Sequence, residues 1–314
     1  MASGETTAHS PLVLPKPIPD LTSEEFQLFQ GLVLRESGIH LGAKNRAMLV
    51  SRLWKRLHLL ELNSFSSYYR RVKADPQEMV LMLNCISTNE THFFREPAAF
   101  DCLRNRVFPE WIADAEAGKR PRTLRVWSAA CSTGEEVYSL AMTLLAHFPP
   151  TAGWRVEVLG TDLSTKVLTH ATAAVWPAEK IRTVPVEYQR RFLLKGFGPE
   201  KGKIKATDEL RQVVRFHRLN LAQQPYGVSG PFDLIFCRNV LIYFQWEMKI
   251  KVVDSLGKCL APTGFLFLGH AESLHGVADK LQFVAPKVFL STRDPLARAG
   301  ALCILQRRDQ ALRN

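Results

Sequence analysis

Beyond residue 122, short apolar runs alternate with helical segments, and this alternation constrains the fold more than any other feature of the chain. The apolar runs occupy residues 124–128, 156–161, 213–217, 234–237 and 265–268. Strands separated by helices form βαβ units, which build a parallel sheet because each crossover returns the chain to the same end of the sheet. We therefore predict an α/β domain over residues 123–293, with helices covering a mainly parallel sheet.

Other stretches near this domain depart from the rhythm of strands and helices. Residues 177–215 are polar and punctuated by glycines, which predicts an inserted antiparallel β-subdomain. The apolar runs 281–284 and 288–291 flank a short turn and predict a closing hairpin. Prolines among small residues indicate a flexible leader at 1–20, and a basic tail follows at 294–314.

Residues 21–95 have a helical pattern and predict a small all-helical N-terminal domain. The sequence TSEE at residues 22–25 is a plausible capped helix start. Apolar residues follow at helical spacing: Phe26, Phe29, Leu32 and Val33. Residues 96–122 begin with helical character and then become polar, so we interpret them as a connector between the two domains.

One segment of the N-terminal domain, residues 44–60, is basic and contains no acidic residue. Leucines line one helical face, so Arg52 and Lys55 point away from it, and Arg56 lies nearby. Two interpretations remain open, a solvated surface and a docking face for an acidic partner. The net charge of +11 favours acidic partners but does not choose among nucleic acid, membrane and protein.

The segment RVWSAACSTGEEVYSLA at residues 125–141 reads as a strand, a turn of small residues and a helix. It contains one glycine, so it is not a dinucleotide fingerprint, and no Gly-Lys-Ser/Thr follows, so it is not a phosphate loop. Glu135 and Glu136 at the helix start would repel a phosphate but tolerate a cationic sulfonium. The pattern therefore favours S-adenosylmethionine over a nucleotide phosphate.

Polar residues also follow the later strands. Asp162 ends the second strand, where an acid can accept both hydroxyls of a ribose. Asn220 and Leu221 follow the third strand, and Arg238 and Asn239 follow the fourth. Because ligands of open α/β sheets collect at the carboxyl ends of strands, these positions together predict a cofactor crevice.

These residues lie in motifs that resemble the chemotaxis protein-glutamate O-methyltransferase family, CheR. The matching motifs are STNETHFFRE at 87–96, VWSAACSTGEE at 126–136, TD at 161–162, NL at 220–221, PFDLIFCRNVLIYF at 231–244 and GHAE at 269–272. They span the chain in consistent order from about residue 21 to 293. The departures from the family are confined to leader, insertion and tail, so they affect how the enzyme docks and not its chemistry.

The resemblance implies a helical N-terminal domain, a Rossmann-like S-adenosylmethionine-dependent methyltransferase domain and an inserted β-subdomain. It implies methyl transfer to glutamate side chains in the cytoplasmic helical region of chemoreceptors, with S-adenosylhomocysteine as the second product. The cofactor contacts that it implies are Asn89, Thr91, Arg95, Glu136, Asp162, Asn220, Leu221, Arg238 and Asn239.

A glutamate carboxylate is ionised at neutral pH, so its methylation needs alignment and no general base. Arg95 and Tyr243 are the candidates for aligning it, since a guanidinium can hold a carboxylate edge and a phenol can donate to it. A structural salt bridge and a core aromatic are the alternatives for these two residues. His270 and Glu272 form an H-x-E triplet, but the Pro-Cys-x-x-Cys partner of zinc deaminases is absent, so we expect no metal.

Two other functions remain to be separated from this one. A nucleic-acid methyltransferase would share the cofactor fold but typically carries an Asn/Asp-Pro-Pro-aromatic element after the fourth strand, where this chain has RNVLIY. A non-catalytic adaptor would bind the cofactor product and receptors alone. With no signal peptide or spanning segment in the sequence, we expect a cytoplasmic protein that does not insert into membranes, acts as a monomer and does not bind nucleic acid.

Overall fold

The computed structural model describes residues 20–270 and 272, together with the backbone of residues 281–285 and 288–291. Most of the predicted leader, 1–20, and the whole of the predicted tail, 294–314, lie outside the described residues. The chain divides into two compact units. The helical unit comprises residues up to 29 and 42–86, and the α/β unit comprises 30–41 and residues from 87 onward. Among the described residues, no helix is both long enough and apolar enough to cross a membrane.

From residue 20 onward, the helical unit contains four α-helices, and the first of them continues into the α/β unit. They are α1 (Ser23–Ser37), α2 (Arg46–Leu59), α3 (Phe65–Ala74) and α4 (Pro76–Ile86). Thr22 and Glu25 cap α1 reciprocally: each side chain accepts a hydrogen bond from the other residue's backbone N–H, at 3.0 and 3.2 Å. The core of the unit holds stacked rings of Phe29 and Tyr68, whose centroids lie 6.2 Å apart. The predicted capped start is therefore confirmed.

In the part of the α/β unit that the structure describes, ten strands form two sheets. In chain order they are β1 (Thr123–Ala129), β2 (Arg155–Asp162), β3 (Val175–Pro177), β4 (Leu193–Lys195), β5 (Lys203–Ala206), β6 (Val214–Arg218), β7 (Phe232–Cys237), β8 (Leu260–Leu268), β9 (Leu281–Ala285) and β10 (Val288–Ser291). The larger sheet has the order β6-β2-β1-β7-β8-β10-β9. Its first five strands pair in parallel, and β10 pairs antiparallel with β8 and β9. The predicted α/β fold and closing hairpin are confirmed.

Helices cover this sheet on both faces, because successive side chains of each strand point to opposite sides. The further helices of the unit are α5 (Pro97–Cys102), α6 (Phe108–Glu116), α7 (Glu135–His147), α8 (Thr165–Ala173), α9 (Val186–Phe192), α10 (Asp208–Val213) and α11 (Trp246–Cys259), of which α9 packs against β4 of the smaller sheet. In β1, for example, Val126 packs into the core under α7, while Trp127 packs into the core that includes α11.

The expected connector at 96–122 is instead part of the packed α/β unit. It contains α5, α6 and a π-helical stretch, Leu103–Val107, between them. Phe100, Phe108 and Trp111 are buried in the same core as β1 and α7. Burial of these large side chains stabilises the helices, whereas the polar character that suggested a linker is confined to the residues after α6.

The predicted β-subdomain is a three-stranded antiparallel sheet with the order β3-β5-β4. It begins at Val175, slightly before the predicted boundary of 177. Ile204 and Ala206 alternate with exposed lysines along β5, so one face of the small sheet joins the core and the other faces solvent.

Candidate active site

The turn between β1 and α7 is tied to the end of β2. The backbone N–H of Ser132 donates to Oδ2 of Asp162 at 2.9 Å. Gly134 ends the turn with a φ of +91°, and a Cβ there would lie 2.9 Å from the Cβ of Ala171. Both the backbone conformation and the available space therefore require glycine. The turn thus brings the start of α7 and the end of β2 to one edge of the sheet.

Asp162 is nearly buried, with 7% of its surface exposed. Its Oδ1 accepts the backbone N–H of Ser164 at 2.9 Å, while Oδ2 accepts that of Ser132. Burial raises the pKa of this carboxyl, and hydrogen bonds from the backbone N–H groups of Ser164, Ser132 and Leu163 oppose the shift without cancelling it. The two carboxylate oxygens together offer about four acceptor sites, so the group keeps acceptor capacity beyond these backbone donors. Asp162 therefore fixes the turn and can still accept a hydrogen bond from a ligand.

Arg238 follows β7 and lies between two carboxylates. Its guanidinium contacts Oε2 of Glu136 at 3.2 Å and Oε2 of Glu96 at 3.1 Å, and it donates to the carbonyl of Arg95 at 2.5 Å. The side chain is fully buried, and its Nε donates to no atom of the described residues. An unpaired buried donor is costly. Arg238 therefore joins three parts of the site and leaves one donor to be satisfied.

The pKa values of the two acids beside Arg238 are shifted in opposite directions. Burial raises the pKa of Glu136, although the charge of Arg238 and a hydrogen bond of 2.7 Å from Ser128 act against it. Burial also acts to raise the pKa of Glu96, but the hydrogen bond from Asn239 and the charge of Arg238 outweigh it and lower that pKa. The charge of the Arg238 guanidinium is therefore shared between two carboxyl groups, of which Glu96 is held ionised more firmly than Glu136.

Residues 87–96 border this region through their backbone. The carbonyl of Asn89 accepts the hydroxyl of Ser132 at 2.9 Å. The carbonyl of Thr91 accepts the ammonium of Lys180, which also pairs with the buried carboxylate of Glu135. The backbones of Asn89 and Thr91 are therefore bound to the β1–α7 turn and to the segment after β3.

Arg95 and Tyr243 occur in the two segments that Arg238 connects. The guanidinium of Arg95 donates to the carbonyl of Glu90 at 3.0 Å and forms no ion pair within residues 20–270. Tyr243 is half-buried, and its hydroxyl hydrogen-bonds no described residue. Its backbone is held in place, since its carbonyl accepts the N–H of His40 at 2.8 Å. Neither the salt bridge nor the fully buried aromatic considered as alternatives is found among the described residues.

Asn239 has a φ of +61°, a left-handed conformation that asparagine tolerates better than most residues. Its side-chain amide donates to Oε1 of Glu96 at 3.1 Å. Its backbone N–H donates to Oε2 of Glu272 at 3.1 Å. The structure therefore uses Asn239 to join the loop after β7 to two acidic residues.

Asn220 and Leu221 are placed at the same edge, but their side chains serve the protein itself. The amide nitrogen of Asn220 donates to the carbonyl of Glu36 at 2.6 Å, and its Oδ1 accepts the N–H of Ala222 at 3.0 Å. Leu221 is buried, and its carbonyl accepts the hydroxyl of Tyr226 at 2.9 Å. One N–H and one lone pair of the Asn220 carboxamide remain after these bonds, so its expected contact with the cofactor stays a prediction.

Comparison with known proteins places this geometry in a family. The family model described as CheR methyltransferase, SAM binding domain matches residues 89–290, and the model described as CheR methyltransferase, all-alpha domain matches residues 24–87. The chain belongs to the CheR methyltransferase family. Its cofactor is S-adenosylmethionine.

Curated relatives agree with this assignment over most of the chain. Chemotaxis protein methyltransferase 2 of Pseudomonas aeruginosa is 37% identical over 271 residues, which cover 85% of this chain and 93% of the relative. Chemotaxis protein methyltransferase of Escherichia coli is 34% identical over 276 residues, covering 87% of this chain and 93% of the relative. The similarity thus includes both the helical and the α/β units.

The three basic residues expected to dock a substrate have different surroundings within the helical unit. Lys55 is exposed on α2. Arg52 donates to the carbonyl of Ile86. Arg56 pairs with Glu78 through two hydrogen bonds, of 2.9 and 2.5 Å. The charge of Arg56 is therefore used inside the helical unit, and its expected role in docking is corrected to a structural one.

A cavity of about 830 Å³ lies along β1, β2 and β6 of this CheR-family chain. Of the candidate cofactor residues, Asn220 lines it, while Asp162, Glu136 and Arg238 do not. The cavity therefore flanks the site and is distinct from the carboxyl edge where the candidate residues gather.

Two residues of the site were not predicted as ligands or supports. Lys180 comes from the insertion and pairs with Glu135 across 45 positions of sequence. Glu272 was noted only as part of an H-x-E triplet, but its carboxylate accepts backbone donors from the loop after β7. Neither contact can be predicted from a local sequence pattern, because each forms between segments that are distant in the sequence.

Proposed function

We propose that this CheR-family enzyme transfers a methyl group from S-adenosylmethionine to glutamate carboxylates in the cytoplasmic helical region of chemoreceptors. The products are glutamate methyl esters and S-adenosylhomocysteine. The names of the curated relatives support a role in chemotaxis. The structural observation that carries the proposal is a pair of groups in segments joined by Arg238: the Arg95 guanidinium, which has no acidic partner among the described residues, and the Tyr243 hydroxyl.

The residues at the carboxyl edge of the sheet fit the cofactor. Asp162 retains acceptor capacity for the ribose hydroxyls, and Glu136 supplies negative charge for the cationic sulfonium end. The buried Nε of Arg238 has no acceptor among described residues, and an amino-acid carboxylate of the cofactor would provide one. The backbones of Asn89, Thr91, Asn220, Leu221 and Asn239 complete the proposed cofactor contacts.

The cofactor supplies an activated methyl group, and the chain has to align the acceptor with it. A glutamate side chain is already ionised at neutral pH, so no proton has to be removed. Arg95 would hold one edge of the carboxylate, and the phenol of Tyr243 would donate to one oxygen. Such alignment can supply on the order of 7–11 kcal/mol in a favourable case. The carboxylate must remain partly free, because a fully neutralised nucleophile is weak.

The substrate would meet the enzyme through opposite charges. Chemoreceptor helices that carry acceptor glutamates are acidic, and α2 presents Lys55 at its surface with Arg52 on the same helix. We place the enzyme in the cytoplasm as a monomer that docks on these helices and not on nucleic acid.

The test of this function is transfer of labelled methyl from S-adenosylmethionine to purified receptor cytoplasmic fragments. Glutamate methyl esters should release their label in mild base, and mass spectrometry should map them to glutamates. Label that resists base, or that enters nucleic acid in place of receptors, would refute the proposal. No label in any substrate would instead favour an adaptor.

Tyr243→Phe tests the aligning group within the same assay. Loss of one hydrogen bond to a charged group should reduce kcat about tenfold to a hundredfold, with affinity for S-adenosylhomocysteine unchanged. Tyr69→Phe is the matched control, since Tyr69 lies in α3 of the helical unit. A fully active Tyr243→Phe enzyme would remove Tyr243 from the reaction.

A further inference from the structure

Glu272 accepts four backbone hydrogen bonds on one carboxylate. Oε1 accepts the N–H groups of Val240 and Leu241 at 2.9 and 2.7 Å. Oε2 accepts those of Asn239 and Gly269 at 3.1 and 2.7 Å. Glu272 is 4% exposed, so these donors bind it out of contact with bulk water. A single side chain therefore holds three consecutive residues of the loop after β7 to the end of β8.

The anchored residues are the base of the turn that carries Tyr243. The N–H of Tyr243 donates to the carbonyl of Val240, and the N–H of Phe244 donates to the carbonyl of Leu241, both at 3.1 Å. Val240 and Leu241 are thus held through their N–H groups by Glu272 and hold the turn through their carbonyls. Displacing them would displace the phenol of Tyr243.

The four hydrogen bonds require a side chain whose two terminal atoms both carry lone pairs and can both accept. An ionised carboxylate offers about four acceptor sites, whereas a glutamine side chain offers them on one oxygen and places two donors on the other atom. In Glu272→Gln, at least two of the four backbone N–H groups would therefore face a donor. The space is also restricted, since a Cβ on Gly269 would lie 2.7 Å from the backbone nitrogen of Asn239 and 2.8 Å from Oε2 of Glu272.

We propose that Glu272 is a positioning residue for methyl transfer, which sets the loop 239–243 and thereby the phenol of Tyr243 without touching substrate or cofactor. This inference rests on the proposed function of Tyr243. It separates two acidic roles at this edge of the sheet: Asp162 and Glu136 serve the cofactor, and Glu272 serves the acceptor side.

The variant Glu272→Gln tests the role by two measurements. Hydrogen exchange followed by mass spectrometry should show lost protection at the amides of residues 239–241. Receptor methylation should show kcat about 100-fold lower, as expected for a displacement of about 1 Å at the reacting groups. The side chains of Arg95, Asp162 and Glu136 keep their places, so KM for the receptor should be nearly unchanged. Affinity for S-adenosylhomocysteine should fall far less than kcat, because the backbone of Asn239 is the one proposed cofactor contact that is displaced.

Asp233→Asn is the matched control. Asp233 lies at the opposite end of β7, where its buried carboxylate accepts the N–H of Arg125 at 2.8 Å and pairs with Arg120 at 2.7 Å. Loss of this carboxylate should lower thermal stability while leaving kcat and exchange at 239–241 unchanged. An equal loss of kcat in both variants would reduce Glu272 to a general stabilising residue and overturn the proposal.

Gly269→Ala perturbs the same contact by sterics and supplies a second test if Glu272→Gln does not fold. It should reproduce the lost protection and the lower kcat. Unchanged exchange at 239–241 in the soluble variant, or lost protection with normal kcat, would refute the positioning role. A wild-type chain that methylates no receptor glutamate would refute the proposed function instead. The hydrogen-exchange measurement needs no substrate, so it tests the role of Glu272 in holding the loop independently of the proposed function.

Discussion

Each unit contains an arginine paired with acid, partly buried at Arg56 and fully buried at Arg238, and the two pairs differ in how many of the guanidinium donors find an acceptor. In the helical unit, Arg56 makes two hydrogen bonds to Glu78, whose Oε1 also accepts the hydroxyl of Tyr68 at 2.8 Å. In the α/β unit, Arg238 divides its contacts between Glu136 and Glu96 and leaves Nε without an acceptor among described residues. We call the Arg56–Glu78 pair closed, because both hydrogen bonds of the guanidinium go to one carboxylate. We call the contacts of Arg238 open, because its Nε has no acceptor among the described residues.

An unpaired Nε does not by itself mark a binding site, since the Nε of Arg120, which pairs with Asp233, also has no partner among the described residues. What distinguishes Arg238 is that it bridges two acids from separate segments in addition. A guanidinium that binds one carboxylate through two hydrogen bonds has its partner within the fold. A guanidinium that bridges separate segments and retains an unpaired donor is satisfied only when another acceptor arrives. In this CheR-family chain, the open arginine lies among the candidate cofactor residues, and the closed one lies in the helix that was expected to dock substrate.

The largest expected effect comes from removing each arginine. Arg56→Met and Arg238→Met should each lower the free energy of unfolding by about 3–5 kcal/mol, because a buried acid loses its partner. The two should differ in binding: Arg238→Met should lose measurable affinity for S-adenosylhomocysteine, and Arg56→Met should keep it. Urea denaturation and calorimetric titration measure the two effects. Equal affinities in the two variants would contradict the distinction between open and closed pairs.

The strands of the larger sheet could be predicted from sequence, because they depend on local pattern. Apolar runs predicted these strands, and the position of Asp162 at the end of β2 followed from the same pattern, whereas its role at the cofactor stays a prediction. The helices α5 and α6 were missed as part of the core, because polar residues after them obscured a buried face. The pairing of Arg56 was missed because helical periodicity does not show which acid lies 22 positions away.

The interactions that complete the site depend on distant segments, and so the sequence alone did not show them. Arg238 meets Glu136 across 102 positions, and Asn239 meets Glu96 across 143. The resemblance to the family indicated these residues as important but not what they contact. Asn220 is an example: the sequence did not show that its carboxamide donates to the carbonyl of Glu36, 184 positions away.

A smaller effect is expected from Asp162→Ala, which tests whether the open site is completed by the cofactor's ribose. Loss of a charged acceptor for two hydroxyls should weaken S-adenosylhomocysteine by roughly tenfold to a hundredfold. The structure adds a second consequence, since the N–H groups of Ser132 and Ser164 would lose their acceptor. Calorimetry should show weaker binding, and a melt without ligand should show a lower Tm. Unchanged affinity would remove Asp162 from the cofactor site.

The smallest effect is expected at the surface of α2. Because Arg56 is already paired with Glu78, Lys55 and Arg52 are the expected docking residues of this helix left to contact a partner. Lys55→Glu should lower kcat/KM for receptor fragments about two- to fivefold, because an exposed charge contributes little and acts mainly on association. The double variant Arg52→Glu with Lys55→Glu should lower it further, but Arg52 also binds the carbonyl of Ile86, so its effect includes stability.

Arg56→Glu would place two acids together at Glu78, so it measures folding and does not test docking. Lys201→Glu is the control for net charge, since Lys201 is exposed in the insertion of the α/β unit and should leave turnover nearly unchanged. Raising ionic strength should reduce wild-type turnover and reduce that of Lys55→Glu less, because salt screens an attraction that the variant has already lost. Equal salt dependence in the two enzymes would show that Lys55 is solvated surface, and the docking face would then have to be sought elsewhere.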